Sequence, residues 1–280
     1  MNELDGKLAV VTGAGSGIGR ALAVKLARAG ARLALADLDA VGLAETARLA
    51  GGAVFASSLD VSDRGAVRAF AEAVGAQGGA DLVVNNAGIS SAGRVVDLTP
   101  DTLERTMAVN FWGVVHGTQA FLPQLLARRE AALANLSSTF GFMGVPGQAA
   151  YCASKFAVRG FTEALRHEVR GTGLRVTVVY PGGVRTAIAS RSQVDFPVGP
   201  EVLAAAQREW DGQRLCTPDA AAEAILDGLR RGRARVIIGG DARLMDRLAR
   251  WLPERHDGFV DRFLRRGAIW RALDAGGVMR

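Results

Sequence analysis

The sequence predicts an α/β fold: a doubly wound, mostly parallel sheet of seven strands in one domain, followed by a helical tail. Short apolar runs alternate with longer segments of helical periodicity along the first 240 of the 280 residues. Uninterrupted apolar runs are typical of parallel strands that helices cover on both faces. A glycine-rich turn also joins the first apolar run to the first helical segment, which is where such sheets bind ligands.

The predicted elements follow in order along the chain. The apolar runs that predict strands span residues 8–11, 32–36, 53–56, 82–85, 131–135, 175–179 and 235–238. Helical periodicity is clearest over residues 18–29, 66–74, 103–126 and 155–169. Right-handed crossovers between consecutive parallel strands then give a doubly wound sheet.

Residues 187–215 interrupt this alternation with Pro197, Gly199 and Pro200 and show no clear strand. Because the segment follows the sixth strand, it lies at the carboxyl edge of the sheet, where ligands bind. We expect a substrate loop there, either a mobile lid or an ordinary surface excursion. The chain accordingly divides into a catalytic domain, residues 1–240, and a C-terminal extension, residues 241–280.

Composition argues against several classes of function. Two cysteines and three scattered histidines offer no disulfide framework and no metal-ligand cluster, so we expect metal-free chemistry. The net charge of +6 comes mainly from arginine, and no basic run occurs in the first half, which disfavours nucleic-acid binding. The amino terminus does not resemble a signal peptide, and no apolar stretch reaches membrane-spanning length. These features predict a soluble, cytoplasmic protein.

The glycine-rich turn is the first candidate binding site. It reads Thr12-Gly-Ala-Gly-Ser-Gly-Ile-Gly19, in which Gly13, Gly17 and Gly19 are spaced G-x-x-x-G-x-G. Glycines permit the tight turn and let the backbone approach a pyrophosphate, while the helix N-terminus supplies N–H groups and a favourable dipole. Its place between an apolar strand and a helix predicts a Rossmann-type dinucleotide site.

Asp37, at the end of the second strand, indicates which dinucleotide binds. A carboxylate there can accept both hydroxyls of the adenosine ribose and repels a 2′-phosphate. The neighbouring positions where a basic residue would favour that phosphate hold Ser16 and Leu38. NAD is therefore the predicted cofactor. The alternative, that Asp37 caps the next turn, is weaker because Asp39 can do so.

Together with motifs farther along the chain, these features resemble the short-chain dehydrogenase/reductase family over about residues 6–239. The motifs keep the family's order and spacing, namely Thr12–Gly19, Asp60-Val61, Asn85-Asn86-Ala87-Gly88, Asn110, Ser138, Tyr151-Cys-Ala-Ser-Lys155 and Pro181-Gly-Gly-Val-Arg-Thr186. The resemblance implies NAD(P)-dependent hydride transfer on a Rossmann-type fold.

By this resemblance, the cofactor site extends along the whole carboxyl edge of the sheet. Asp60 holds the adenine by its side chain and Val61 by its backbone, and Val184 and Thr186 anchor the nicotinamide carboxamide. The implied cofactor-binding set is Gly13, Ser16, Gly17, Ile18, Gly19, Asp37, Asp60, Val61, Asn86, Ala87, Gly88, Tyr151, Lys155, Pro181, Gly182, Val184 and Thr186. For Asn85 and Asn86, a turn-forming role is the alternative.

Tyr151 and Lys155 supply the chemistry that hydride transfer requires. Oxidation of a secondary alcohol needs a base for the hydroxyl proton, and a nearby ammonium favours the phenolate of tyrosine. Four residues apart on a helix, the two side chains project from one face. Lysine is rare here, at three residues against 31 arginines, and a slim ammonium can bond a ribose hydroxyl and relay protons.

Ser138 and Asn110 complete the predicted catalytic set. The Ser138 hydroxyl can donate to the substrate oxygen. Ser137 is the competing assignment, and the 13-residue spacing to Tyr151 seen in the family favours Ser138. Asn110 would hold a water that links Lys155 to solvent, or would bend its helix by bonding to the backbone, or both.

The remaining predictions concern substrate, function class and assembly. Residues 139–145 are apolar and uncharged, which favours a hydrophobic secondary alcohol or ketone, with core packing as the alternative. A non-catalytic NAD-binding scaffold or redox sensor is the alternative function, and epimerisation or dehydration is a third. Apolar faces on residues 103–126 and 151–169 predict a homodimer or homotetramer.

The C-terminal extension carries apolar residues at helical spacing, flanked by arginines. The first set is Leu244, Leu248, Trp251 and Leu252, and the second is Phe259, Phe263 and Leu264. Such stripes can dock on the parent domain, on a neighbouring subunit or on an anionic membrane surface. Asp246, Asp257 and Asp261 dilute the positive charge, which favours docking on protein over the membrane.

Overall fold

The computed structural model describes residues 4–51, 54–195, 199–213, 215–256, 258 and 267. The strands found in these residues are β1 (Leu8–Thr12), β2 (Arg32–Asp37), β3 (Val54–Ser58), β4 (Leu82–Asn85), β5 (Ser91–Ala92), β6 (Ala131–Leu136), β7 (Leu174–Pro181), β8 (Gln193–Val194) and β9 (Arg235–Ile238). The α-helices are α1 (Gly17–Arg28), α2 (Ala40–Leu49), α3 (Arg64–Ala76), α4 (Pro100–Met107), α5 (Gly113–Leu126), α6 (Ala149–Glu168), α7 (Pro200–Asp211), α8 (Pro218–Arg230) and α9 (Gly240–Trp251).

The main sheet confirms the predicted fold class. Its seven strands are all parallel and lie in the order β3-β2-β1-β4-β6-β7-β9. The chain builds outward from β1 in one direction and then from β4 in the other, so the strand order reverses between them. In such sheets the carboxyl ends beside the reversal form the ligand-binding crevice.

Helices cover both faces of the sheet and bury two apolar clusters. On one face, α1 and α8 contact each other, and Leu22, Leu26 and Ile225 are fully buried. On the other face, α3, α5 and α6 cover a cluster that includes Phe70 and Phe121. This two-sided burial explains why the strands read as uninterrupted apolar runs.

The predicted helix over residues 103–126 is longer and less regular in the structure. It begins at Pro100, in the first helical turn, where proline's lack of an N–H removes no hydrogen bond of the helix. Thr99 caps this start, because its side chain accepts from the Thr102 N–H. A π-helical turn (Ala108–Trp112) then separates α4 from α5. The helix predicted over residues 155–169 likewise begins earlier, at Ala149, so it also includes Tyr151.

The structure corrects the prediction that residues 187–215 contain no strand. β8 pairs in parallel with β5, which lies about a hundred residues earlier in the chain, so local sequence gave no sign of it. α7 follows and has Pro200 in its first turn, where proline favours a helix start. None of its residues is buried. Two further helices, α2 and α8, were also absent from the predicted set.

The first part of the C-terminal extension forms α9, which packs against β9. Asp246 pairs with Arg235 of β9 at 2.7 Å, and Ala249 packs on the buried cluster of Phe142 and Tyr180. The second apolar set of the extension, from Phe259 to Leu264, lies outside the described residues, as do Asp257 and Asp261. In the part that the structure describes, no helix is both long enough and apolar enough to cross a bilayer.

Candidate active site

The turn between β1 and α1 admits only glycine at several positions. Gly13 and Gly17 have φ angles of +65° and +52°, in the left-handed region that favours glycine. A Cβ at Gly19 would lie 2.0 Å from the Gly13 carbonyl oxygen. The glycines therefore hold the turn tightly against the start of the helix, as a pyrophosphate site requires.

The N-terminus of α1 is open to an anion. Ser16 occupies the cap position but makes no side-chain cap hydrogen bond, and the first turn contains no acidic residue. By contrast, Asp39 and Asp63 cap α2 and α3 with their carboxylates. The N–H groups and dipole of α1 are thus left to bind a phosphate, with Ile18 half-buried behind them.

Asp37 lies beside the glycine-rich turn, where the ribose next to a bound pyrophosphate would be. Its Oδ2 accepts from the Gly15 N–H at 2.7 Å, and its Oδ1 accepts from the Asp39 N–H at 2.8 Å. Asp39, not Asp37, caps α2 by accepting from the Gly42 N–H. Asp37 thus does bond the turn that follows β2, as the alternative states, whereas the cap of α2 itself is Asp39.

Asp60 and Val61 follow β3 at the same edge. Asp60 accepts hydrogen bonds from the backbone and hydroxyl of Ser62, and Arg105 pairs with its second oxygen at 2.9 Å. Burial opposes ionisation, but the hydrogen bonds from Ser62 and Arg105 prevail and lower the pKa of Asp60. The carboxylate is therefore held as an anion. The Val61 carbonyl contacts Nδ1 of His116, which gives that histidine a structural role.

The segment after β4 is tied to the glycine-rich turn. The N–H groups of Asn86 and Ala87 donate to the Thr12 hydroxyl, and the Asn86 side chain donates to the Thr12 and Gly13 carbonyls. Asn85 instead points into the core, where its amide donates to Asn135 at 2.8 Å. Asn86 thus holds the segment after β4 against the glycine-rich turn. Asn85 belongs to a buried network of polar side chains and does not form a turn.

Asn110 lies in the π-helical turn and is fully buried. Its side chain accepts from the Ile89 N–H at 2.8 Å and donates to the Ile89 carbonyl and the Ser154 hydroxyl. A Cβ added to Gly88 would lie 3.1 Å from Asn110 Oδ1 and 3.4 Å from Lys155 Nζ. Asn110 therefore joins the segment after β4 to α6 beside Lys155.

The two neighbouring serines after β6 have different environments. The Ser137 hydroxyl donates to the Lys155 carbonyl at 2.8 Å, so it is committed to the backbone of α6. Ser138 lies at the start of the 3₁₀ turn (Thr139–Gly141), where its oxygen accepts from the Phe140 N–H. The Ser138 side chain also lowers the pKa of the Tyr151 phenol, so the two side chains are neighbours. The geometry thus pairs Ser138, and not Ser137, with Tyr151.

Tyr151 and Lys155 lie one turn apart on α6. Lys155 Nζ is 5.7 Å from the centroid of the tyrosine ring and donates to the Leu136 carbonyl at 3.0 Å. Burial raises the pKa of Tyr151 to about 12, although the neighbouring Ser138 side chain opposes the shift. Burial lowers the pKa of Lys155 to about 8. Lys155 is therefore isolated from bulk water at the carboxyl edge of β6, whereas Tyr151 beside it is half-buried.

The segment Pro181–Thr186 completes the edge beyond β7. The Gly182 N–H donates to the Ile238 carbonyl at 2.9 Å, and Val184 is buried. A Cβ at Gly17 would lie 2.9 Å from the Thr186 side chain. The segment therefore reaches from the end of β7 to the start of α1, across the crevice that the strand reversal predicts.

The apolar segment over residues 139–145 has two roles. Phe142 is buried against Tyr180 at a ring distance of 4.4 Å, so the core-packing alternative holds for it. Phe140 instead meets the Tyr151 ring edge-on at 5.9 Å. Phe140 is thus the member of this segment that is placed beside the candidate acid–base group.

Burial raises the pKa of Cys152 to about 11, which leaves that thiol unreactive at neutral pH.

Asp241, at the start of α9, also lies at this edge of the sheet and is absent from the predicted set. Its Oδ2 accepts from the Gly183 N–H at 2.7 Å. The sequence does contain an indication of this position, because a carboxylate directly after the last strand lies at the ligand-binding edge of a parallel sheet. The domain boundary predicted at Gly240 places Asp241 in the C-terminal extension instead.

Comparison with known proteins supports the same reading of the chain. Residues 7–195 match the short chain dehydrogenase family. The Mycobacterium tuberculosis protein SadH is 48% identical over 268 residues, covering 93% of this chain and 96% of SadH, and it is named as an oxidoreductase. The 2-(S)-hydroxypropyl-CoM dehydrogenase 3 of Xanthobacter autotrophicus is 35% identical over 230 residues, covering 80% of this chain and 90% of that protein.

One solved structure is similar to this chain in both fold and sequence. The short chain dehydrogenase/reductase from Burkholderia phymatum, in complex with NAD, superposes with a TM-score of 0.79 at 33% identity, covering 89% of this chain and 95% of that chain. Since sequence, fold and strand order all agree over most of the chain, the protein is an oxidoreductase that belongs to the short-chain dehydrogenase/reductase family.

Proposed function

We propose that the protein is an NAD-dependent alcohol dehydrogenase or carbonyl reductase (EC 1.1.1.-) that acts on an apolar secondary alcohol or ketone. The observation that carries this proposal is the grouping of Ser138, Tyr151 and Lys155, in which Ser138 acts on the pKa of Tyr151 and Lys155 Nζ lies 5.7 Å from the tyrosine ring. A hydroxyl donor, a titratable hydroxyl and an ammonium are the groups that proton transfer to or from a carbonyl oxygen requires.

The protonation states of Tyr151 and Lys155 suit carbonyl reduction at neutral pH. With a pKa of about 12, Tyr151 holds its proton and can donate it to a substrate oxygen that Ser138 also bonds. Lys155, with a pKa of about 8, is still mostly an ammonium at pH 7 and favours the resulting phenolate. Bound NAD would supply the hydride exchange and, when oxidised, a positive ring that favours the phenolate for the reverse reaction.

Asn110 supports this grouping through its contacts with Ile89 and Ser154. By bonding both the N–H and the carbonyl of Ile89, it sets the path of the segment that passes Lys155. Its bond to Ser154 joins this segment to α6, one residue before Lys155. We further propose that a water beside Asn110 links Lys155 to solvent.

The surroundings of Asp37 favour NAD over NADP. A 2′-phosphate at this ribose would meet the Asp37 carboxylate, and the adjacent Ser16 and Leu38 carry no compensating charge. Arg20 is the nearby cation, but its guanidinium donates to the Gly15 and Gly42 carbonyls and to Thr46. These bonds hold Arg20 on the backbone behind the turn, where it supports the glycines and does not offset Asp37.

Two observations support an apolar alcohol or ketone as the substrate. Phe140 lies edge-on against Tyr151, and residues 139–145 contain no charged side chain. The relative from Xanthobacter autotrophicus is named for 2-(S)-hydroxypropyl-CoM, which supports a secondary alcohol as the reacting group and does not bear on its apolar character. We also propose that α7, which has no buried residue, covers this substrate as part of the loop over residues 187–215.

Cofactor titration followed by a substrate screen tests the proposal. NADH and NADPH are titrated into the purified protein by calorimetry, and alcohols and ketones of increasing chain length are screened by NADH absorbance. We expect NADH to bind at least about tenfold more tightly, the scale of one lost or repelled charge contact. Equal affinity for NADPH would contradict the Asp37 argument. NADH binding without turnover of any substrate would favour the scaffold or sensor alternative.

A further inference from the structure

The loop that follows β7 is held by a side chain from outside the expected catalytic domain. Asp241 Oδ2 accepts from the Gly183 N–H at 2.7 Å. A Cβ at Gly182 would lie 2.4 Å from the same oxygen and 2.5 Å from Oδ1. The carboxylate therefore lies flat against Gly182, where it leaves no room for a side chain, and bonds Gly183, where a Cβ would instead meet Leu215 at 2.6 Å.

Backbone bonds hold the same loop on its other sides. The Gly182 N–H donates to the Ile238 carbonyl at 2.9 Å. The Cys216 N–H donates to the Gly183 carbonyl, and the Arg185 N–H donates to the Cys216 carbonyl, each at 2.9 Å. These bonds leave the Gly183 N–H to Asp241, so the carboxylate completes the fixation of the peptide that precedes Val184.

Asp241 reaches this loop because of the way α9 starts. The chain leaves β9 through Gly239, whose φ of +101° is in the left-handed region, and α9 begins at the next residue. Asp241 then lies in the first turn of α9, where the helix dipole also favours an anion. Farther along the helix, Asp246 pairs with Arg235 and holds α9 on the sheet.

We propose that Asp241 is a positioning residue for the nicotinamide half of the cofactor. This inference rests on the proposed NAD-dependent function and on the roles that the family resemblance implies for Val184 and Thr186, which would meet the nicotinamide carboxamide. By fixing the Gly182–Gly183 peptide, Asp241 sets the direction in which the chain runs to those two residues. The adenosine half is held at the other side of the crevice, by Asp37 and the glycine-rich turn, and does not depend on Asp241.

The test compares two ligands that differ in the nicotinamide, NADH and ADP-ribose, by calorimetry on the full chain. Asp241→Ala removes the acceptor, whereas Asp241→Asn keeps an oxygen that can accept from Gly183. We expect Asp241→Ala to raise the Kd for NADH about tenfold, the effect of a charge-assisted hydrogen bond, and to leave ADP-ribose within about twofold. Asp241→Asn should restore most of the NADH affinity.

Asp246→Ala is the matched control, because it weakens the docking of α9 without removing a contact to the loop. It should lower the melting temperature and leave the ratio of the two affinities unchanged. Unchanged NADH affinity in Asp241→Ala, an equal loss for both ligands, or the same selective loss in Asp246→Ala would each overturn the proposal. If the native protein bound neither ligand, the proposed function itself would fail, which is a distinguishable result.

Discussion

Lys155 shows how a single residue can serve chemistry at the expense of stability. The residue is 3% exposed, and its ammonium donates to one backbone acceptor, the Leu136 carbonyl. Burial lowers its pKa to about 8, which means that the fold disfavours the charge that the proposed reaction uses. Such a cost is typical of functional sites.

The first prediction concerns the pH dependence of stability in Lys155→Met. Because the pKa of Lys155 falls from 10.5 to about 8 on folding, the unfolded chain binds more protons between those values. The free energy of unfolding of the native protein should therefore rise from pH 8 towards pH 10.5, by up to about 3 kcal/mol in total. Below pH 8 the full cost of burying the charge is present.

Urea unfolding at pH 7, 8.5 and 10 measures this effect. The methionine variant carries no titrating group at this position, so its free energy of unfolding should lack that rise. The series ends at pH 10 because the raised pKa of Tyr151 makes stability fall above that value. An equal gain in both proteins would show that Lys155 is not the group responsible.

The second prediction concerns Tyr151→Phe. Losing the acid–base hydroxyl should lower turnover by roughly 10²–10⁴-fold, while the Kd for NADH stays nearly constant. The chain contains one other tyrosine, Tyr180, which is buried against Phe142 away from the proposed acid–base group. Tyr180→Phe is therefore the matched control and should keep most of the activity. Steady-state kinetics on a substrate from the screen would reveal a wrong assignment if Tyr151→Phe remained active.

At the scale of elements, the turn between β1 and α1 depends on a contact that no side chain permits. A Cβ at Gly19 would meet the Gly13 carbonyl oxygen at 2.0 Å and the Asn86 side chain at 2.6 Å. Asn86 in turn donates to the Gly13 carbonyl. The turn and the segment after β4 thus form one unit, and a change in either must open both.

The third prediction follows for Gly19→Ala. The added methyl group would separate Gly13 from α1, so NADH should bind at least about tenfold more weakly and the melting temperature should fall. Gly75→Ala is the control, since a Cβ there would meet its nearest neighbour at an ordinary 3.4 Å. Alanine should be neutral or stabilising by up to about 1 kcal/mol in α3. Calorimetry showing normal NADH binding by Gly19→Ala would rule out this turn as the pyrophosphate site.

At the scale of the whole molecule, one face of α9 covers apolar surface of the catalytic domain, and other apolar side chains of the same helix are exposed to solvent. Ala242 is buried and Ala249 packs on the cluster of Phe142 and Tyr180, which agrees with docking on the parent domain. Leu244 and Trp251 remain exposed, the latter at 81%. The described part of the extension is therefore an integral helix of the fold with one uncovered face.

The fourth prediction is that truncation after Gly240 destabilises the protein. It would uncover Phe142 and leave the partly buried Arg235 without its Asp246 partner, and unpaired charges of this kind are costly. We expect the melting temperature to fall by at least about 5 °C, on the scale of 2–4 °C per kcal/mol for a domain of this size. Scanning calorimetry measures the shift. Strong, salt-sensitive co-sedimentation of the full chain with anionic vesicles would instead support the membrane-surface alternative.

The fifth prediction is that the protein forms a homodimer or homotetramer through α5 and α6. Trp112, in the π-helical turn before α5, is 50% exposed, and Phe156 of α6 is 40% exposed. Large exposed apolar side chains on adjacent helices are typical of a subunit interface. Light scattering should return a multiple of the 29.3 kDa chain mass. Phe156→Arg should reduce it, whereas Val41→Arg, at an exposed position of α2, should not. A monomeric native protein would refute the prediction.

The sequence alone was sufficient for the strands of the main sheet, the glycine-rich turn and the spacing of Tyr151 and Lys155. Each depends on local pattern: apolar runs predict buried parallel strands, and a four-residue interval on a helix places two side chains on one face. The family resemblance added Ser138 and Asn110. Their positions beside Tyr151 and Lys155 agree with it, whereas their catalytic roles stay predictions.

Other features depended on contacts between distant parts of the chain. Local sequence does not show that β8 pairs with β5, that Ser137 bonds the Lys155 carbonyl, or that Phe142 packs inward while Phe140 faces Tyr151. Asp241 is the clearest case, since its role arises only when α9 docks on β9 beside Gly183. Secondary structure follows from short-range periodicity, but the direction and partner of a side chain are decided by packing, which only the tertiary structure specifies.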